Sequence, residues 1–389
     1  MIAIRLAFKN LLGAGLRTWL NAGVLSFAFF LIVFYNGLFE GWNVQAKHET
    51  EAWEVGKGEL WHPDFDPLDV YTYQDAHAPV SPEIQSLINK DELTPILYSQ
   101  ASVYPEGRMM TVLLKGIEPE QKILELPTKD LEQTSDVLPA IIGKRMARAM
   151  KTEKGNTLLV RWRDKNGTFD AREVKIVDIF ETIVPTVDAG IIWLPLDKLQ
   201  DMTGMQNEAT IFVAGNSYPG GDIENWKFKD QKYLFKDIDM LIKSKKGGSS
   251  LLWGLILVLA LLAIFDTQVL SIFRRQKEIG TYIALGMTRW QVVRIFTVEG
   301  TAYSIFAAIL ATIYGTPIFY YLAKKGFPLP MGDADIGIAM SDVIYPYFSL
   351  GLILSTVLLV ILTATIVSFI PARKIARLKP TEALKGKIQ

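Results

Sequence analysis

The chain has 389 residues, half of them hydrophobic, a mean hydropathy of +0.21 and no net charge. That balance is too apolar for an ordinary soluble protein and too polar for a wholly embedded one, so membrane helices plus a sizeable soluble part are expected. With no cysteine, disulfides, thiolate metal sites, Cys nucleophiles and thiol lipidation are all excluded.

Residues 1–17 set Arg5, Lys9 and Arg17 among Ile2, Ile4, Leu6, Phe8, Leu11 and Leu12, the pattern of an amphipathic helix lying at the inner membrane surface. Residues 18–39 carry no charge and can span. The run is long and ends in Phe39, Glu40, Gly41 and Trp42 without small residues at a cleavage position, which favours an uncleaved anchor over a signal peptide. Residues 40–250 hold no run long enough to cross a bilayer and carry 25 basic against 34 acidic residues. They read as one soluble, mixed α and β domain. Within it, Ser81-Pro82-Glu83 starts a helix, 96–104 and 109–117 read as strands about a turn at 105–107, and 144–151 reads as a short helix. Residues 157–163 and 171–180 form strands about Asn166-Gly167, a strong hairpin signal. Strands at 190–195 and 209–214 then flank a helix at 196–202.

Lys243, Lys245, Lys246 and a flexible Gly247-Gly248-Ser249-Ser250 precede the second span, 251–273, which contains Asp266. An ionised carboxylate at membrane depth costs a few kcal/mol unless paired or wetted, so Asp266 is either a coupling residue or a group near the inner headgroups. Residues 274–298 begin with a basic hairpin. Ile279, Tyr282 and Ile283 share one helical face, Gly286 is a C-terminal stop, and Thr288 with Gln291 matches a capping box opening a second helix at Arg289. The hairpin either transmits a push or merely sets topology. The third span, 299–323, contains Pro317, which is expected to kink it. A loop at 324–344 holds Asp333, Asp335 and Asp342 without EF-hand spacing and reads as a solvated loop. The fourth span is 345–370, and the tail, 371–389, reads as two short interfacial helices.

The charges alternate. Five Lys or Arg stand against one acid in 274–294, and six against one in 371–389, while the domain between the first two spans is acidic. Basic loops stay inside, so both termini and the hairpin are expected in the cytoplasm and the large domain outside. Each basic run abuts an apolar one, which argues against nucleic acid. No Gly-Lys pair is followed by Ser or Thr, so a P-loop is absent, and neither H-E-x-x-H nor G-x-S-x-G occurs. Neither a catalytic residue nor a metal ligand set is expected; His48, His62 and His77 read as surface or packed histidines. The spans carry few ionisable groups, which points to mechanical work rather than a hydrophilic conduit.

With these pieces in place, the chain resembles the permease subunits of type VII ABC systems, the family of lipoprotein-releasing (Lol-type), macrolide-efflux and FtsX-type permeases. The resemblance rests on RQKEIGTYIALG (275–286), Glu299-Gly300, Pro371-Ala372-Arg373 with LKPTEAL (378–384), and more loosely PAIIGKRMARAM (139–150). It implies a membrane α plus extracytoplasmic α/β fold, with four transmembrane helices and a large mixed α+β periplasmic domain between the first and second. It implies a bacterial inner-membrane location, a second permease subunit, and two cytoplasmic ABC ATPase subunits that bind ATP and Mg, so no cofactor belongs to this chain. Glu278, Ile279, Gly280, Ala284, Leu285 and Gly286 would contact the ATPase as a coupling helix, and mechanotransmission would move the outer domains. The nearest implied role is lifting a lipoprotein substrate to a periplasmic carrier. Phe39, Trp42 and Trp53 would line an acyl-chain cleft, with membrane-interface anchoring the simpler account of Trp42. A macrolide- or peptide-efflux permease with adaptor and duct, or a scaffold controlling a wall hydrolase, are the alternatives.

Overall fold

The computed structural model describes residues 16–132, 137–329 and 340–374. The expected helix at 1–17, the tail beyond 374, and Asp333 and Asp335 lie outside the described residues. The chain divides into two compact units, one of Met1–Trp42, Leu241–Leu329 and Val343–Gln389, the other of Asn43–Met240 and Pro330–Asp342.

In chain order the labelled elements begin with helix α1 (Leu16–Thr50), strand β1 (Gly58–Trp61), helix α2 (Pro82–Ile88) and strands β2 (Leu93–Val103), β3 (Met110–Ile117) and β4 (Leu138–Gly143). Helix α3 (Lys144–Met150), strands β5 (Thr157–Arg163), β6 (Phe169–Phe180) and β7 (Ile191–Pro195), and helix α4 (Leu196–Thr203) follow. Strands β8 (Ile211–Ala214) and β9 (Lys227–Asp230) precede helices α5 (Lys236–Arg274), α6 (Gln276–Ala284), α7 (Arg289–Lys325) and α8 (Leu350–Ala372).

In the first unit α1, α5, α7 and α8 are each long and apolar enough to cross a membrane. Leu25, Ala28, Phe29, Ile32 and Val33 of α1 pack with Leu257, Ala260, Leu261 and Ile264 of α5, Ala307 and Ala311 of α7, and Val360 and Ala364 of α8. Small residues recur at these crossings, as close helix packing in a bilayer requires. Large apolar side chains such as Leu255, Leu259, Ile313, Leu354 and Leu362 remain exposed, the surface a helix presents to hydrocarbon.

Three boundaries differ from the sequence reading. α1 runs on to Thr50. α5 starts at Lys236 and passes unbroken through Gly247-Gly248-Ser249-Ser250, where Ser249 and Ser250 hydroxyls donate to the carbonyls of Lys246 and Gly247. Each glycine costs only about 1 kcal/mol in a helix, while helix nucleation is the expensive step, so propagation carries α5 through. α8 begins five residues later than expected: Ser349 accepts from the Leu352 amide, and Tyr347 N donates to Gly37 O (2.9 Å), which holds the preceding residues extended along α1. α7 continues through Pro317 to Lys325.

The second unit is built on a nine-stranded sheet of order β9-β1-β8-β2-β3-β7-β4-β6-β5, in which β2 also pairs with β5. That extra pairing closes β2, β3, β7, β4, β6 and β5 into a six-stranded barrel, and β8, β1 and β9 extend it from β2. In β5 Leu158, Val160 and Trp162 point inward while residues 157, 159, 161 and 163 are exposed, the period of two expected of a strand with one buried face. Leu97, Val112, Leu114, Ala140, Ile142, Val174, Ile176, Ile192 and Leu194 join them in the core, together with Met146 of α3 and Leu199 of α4. The turn between β5 and β6 is organised by Asp164, whose carboxylate accepts from Asn166 N (2.9 Å) and Thr168 N (2.7 Å). β9 is the open edge and carries Lys227 and Lys229, charges that discourage pairing with another chain.

Candidate functional site

The basic hairpin expected between the second and third spans is formed by α6, a turn, and the first turns of α7. Ile279 lies fully buried on α6, and Tyr282 and Ile283 pack beside it, against Ile272 of α5, Val292, Val293 and Phe296 of α7, and Phe369 and Ala372 of α8. α6 ends where Gly286 takes φ +98°, a left-handed value that side chains rarely adopt, and Met287 N donates back to Tyr282 O (3.0 Å). The next helix opens on the capping box: Thr288 Oγ1 accepts from Gln291 N (3.3 Å), and Gln291 Oε1 accepts from Thr288 N (2.7 Å). Two otherwise orphaned amides are thus satisfied within the turn.

One ion-pair set braces this block. Arg275 Nε donates to Glu278 (2.8 Å), Arg275 Nη1 donates to buried Glu299 (2.9 Å), and the guanidinium lies over the Phe296 ring at 5.0 Å. Arg275 therefore ties the end of α5 to α7 across α6. The sequence marked Glu299 as the start of a span but not its partner, which is 24 residues away and set by the hairpin's fold.

Of the six residues expected at a coupling surface, Glu278, Ala284, Leu285 and Gly286 are exposed, while Ile279 and Gly280 are buried in the packing of α6. Leu285 is 79% exposed at the tip, and Trp290, which sequence reasoning passed over, is 58% exposed and stacks on Phe369 at 6.4 Å. Asp266 sits on an exposed flank of α5, with no ion pair among the described residues. Two residues further on, Gln268 is buried, and its carboxamide and the Ser368 hydroxyl meet at Gly300 with no hydrogen-bond partner among the described residues. A polar residue inside an apolar run is the signal that could have found Gln268.

Phe39 and Trp42 are neighbours on α1, with ring centroids 6.2 Å apart. Trp53, in the π-helical turn Glu51–Val55 of the second unit, instead stacks on Phe180 at 5.7 Å. The histidines are dispersed: His77 pairs with Glu208, His62 meets the Trp226 ring edge-on, and His48 is exposed on α1. Among the described residues no group of three His, Cys, Asp or Glu is placed to hold a metal.

Comparison with known proteins places this geometry. The FtsX-like permease C-terminal family model matches residues 250–380, which contain α6 and α7. The chain is similar to the lipoprotein-releasing system transmembrane protein LolC of Xylella fastidiosa, 23% identical over 326 residues, covering 75% of this chain and 76% of that one. It is also similar to the macrolide export ATP-binding/permease protein MacB of Agrobacterium fabrum, 22% identical over 78% of this chain and 48% of that one. An uncharacterized ABC transporter permease of Methanocaldococcus jannaschii is 26% identical over 55% of each chain. Among solved structures, the extracellular domain of the ABC-type transporter YknZ from Gram-positive bacteria matches 41% of this chain and 83% of that one, at 16% identity and a TM-score of 0.26. The apolar helices, the EIG hairpin and the matched segment agree: residues 250–380 carry an FtsX-like permease C-terminal domain, and the chain is similar to permeases of the type VII ABC family.

Proposed function

We propose that this chain is the non-catalytic permease subunit of an ATP-driven complex that releases lipoproteins from the outer leaflet of the bacterial inner membrane to a periplasmic carrier. In this reading two ABC ATPase subunits bind ATP and Mg and dock on the cytoplasmic hairpin, and a second permease completes the complex. The large domain between α1 and α5 faces the periplasm. The observation that carries the reading is the exposed tip at Leu285 and Trp290, held on a block packed against α5, α7 and α8 and braced by Arg275 and Glu299. A separate ATPase pressing on that tip moves the ends of three apolar helices together. Glu278, Ala284 and Gly286 add surface around it.

The lipoprotein substrate is favoured by the match to LolC over three quarters of both chains, whereas the MacB match covers about half of that protein. Efflux through an adaptor and duct is the competing reading, and Phe39 and Trp42 would contact an acyl chain only in the first.

The test uses the full chain reconstituted with its ATPase in lipid nanodiscs. Leu285→Ser and Trp290→Ala are each expected to lower permease-stimulated ATPase activity by about tenfold or more, the loss that follows from removing a binding hot spot. ATP-dependent transfer of a triacylated lipoprotein to a carrier should be lost in parallel. Unchanged ATPase stimulation in both variants would refute docking at the tip, and stimulation without lipoprotein transfer would refute the substrate.

A further inference from the structure

The loop between β1 and α2 is rich in aromatic residues and proline, and nothing in the proposed coupling machinery uses it. Its apolar residues split into two sets. Phe65 and Tyr73 stack on one another at 5.4 Å, and both meet the Tyr98 ring edge-on, at 5.5 and 5.6 Å; Phe65 also meets Trp61 at 5.3 Å. These rings anchor the base of the loop on the outer face of the sheet. The second set faces solvent: Leu68 is 87% exposed, Tyr71 86% and Val70 51%. Three large apolar side chains within four residues stand clear of the unit that carries them.

The tip is held in shape from within. Leu68 N donates to Asp66 Oδ1 (2.9 Å), Tyr71 N to Asp69 Oδ1 (3.0 Å), Asp66 N to Thr72 Oγ1 (3.1 Å), and the Tyr73 hydroxyl to Pro67 O (2.8 Å). Gln100 of β2 donates to Val70 O, tying the tip to the barrel. A loop ordered before it binds loses little entropy on binding, which is how exposed Tyr and Leu become anchors rather than liabilities.

We propose that this loop, residues 62–76, is a docking element for a soluble protein partner whose receiving surface is an apolar pocket rimmed by Lys or Arg. The charge of the loop selects that partner. Asp64, Asp66, Asp69 and Asp75 surround the exposed trio, and no Lys or Arg occurs between residues 62 and 76. Four carboxylates oppose insertion into an anionic lipid surface, and a basic rim complements them, steering association and fixing register. A second copy of this acidic domain, with 34 acids to 25 bases over residues 40–250, is a poorer match.

The inference goes beyond the proposed ATPase coupling and stands or falls separately from it, because hairpin-stimulated ATPase activity does not involve this loop. The test places the photo-reactive amino acid p-benzoylphenylalanine at position 71 of the full chain in its native membrane. The same probe at Phe169, an exposed aromatic on β6, serves as control. The expected result is a protein adduct at position 71 and not at 169, with the cross-linked partner peptide mapping to an apolar pocket flanked by basic residues. Leu68→Ser should reduce its yield at least about fivefold. So should Asp64→Lys with Asp75→Lys, a pair that leaves the loop-shaping Asp66 and Asp69 intact, while melting temperature shows the fold retained in both. An adduct to lipid, to a second copy of this chain or to a surface without basic residues would overturn the proposal, as would no adduct above the control.

Discussion

Glu59 sits on β1 with its carboxyl buried, accepting from Trp61 Nε1, and burial pushes its pKa from 4.5 up to about 8 against the opposing effects of that bond and of Lys115. A carboxyl whose folded pKa lies above its unfolded value contributes stability that is complete below about pH 4.5 and is lost as pH rises towards 8. Lys115, buried beneath Tyr98 and Trp193, is lowered from 10.5 chiefly by burial and acts in the opposite sense, stability rising as pH rises towards 10.5. Glu59→Gln is therefore expected to flatten the fall in stability between pH 5 and pH 8, read as melting temperature or as amide exchange in β1 and β8; parallel slopes in both proteins would contradict the assignment. A second residue tests the packing of the helical unit. A Cβ at Gly300 would overlap the Cβ and Oγ of Ser368. Gly300→Ala should cost about 1–3 kcal/mol, as overpacking does, and adding Ser368→Gly should recover much of it, measured as thermal stability in detergent. Glu299-Gly300 was legible as a family mark, but its physical content, a buried ion pair beside a contact too close for a side chain, depends on partners 24 and 68 residues away.

At the scale of elements, the hairpin shows how far local chemistry reaches. The spacing of Ile279, Tyr282 and Ile283, the stop at Gly286 and the Thr288–Gln291 box were all readable, because each depends on atoms within five residues of one another, and each is present. Thr288→Ala or Gln291→Ala should each weaken the start of α7 by about 1 kcal/mol, seen as faster amide exchange over residues 288–292 with the rest of α7 unchanged. The readings that fail do so for the opposite reason. Gly247 to Ser250 have a linker's composition, yet helix propagates into them from both sides. Residues 345–349 are apolar enough to extend a span, yet the Gly37 carbonyl and the Ser349 cap hold them outside it.

At the scale of the whole molecule, the expected topology rests on the alternation of basic and acidic pieces. The chain contains no cysteine, so single replacements can be labelled without background. Phe169→Cys is expected to react with a membrane-impermeant maleimide added to spheroplasts, and Leu285→Cys only after the membrane is permeabilised. Labelling of both from one side would end the reading of an outward domain driven by an inward hairpin. The sequence by itself determined the number of apolar helices, six of the nine strands of the large unit's main sheet and the hairpin, because hydropathy, period and capping act over short stretches of chain, while β1, β4 and β9 carry no such local signal. The tertiary structure decided the closure of β2 on β5, the pairing of Arg275 with Glu299, the division of the six residues expected at a coupling surface into buried and exposed, and the display of Leu68 and Tyr71. Each of these is a contact or an exposure created when distant segments meet, and no local pattern encodes which segments those are.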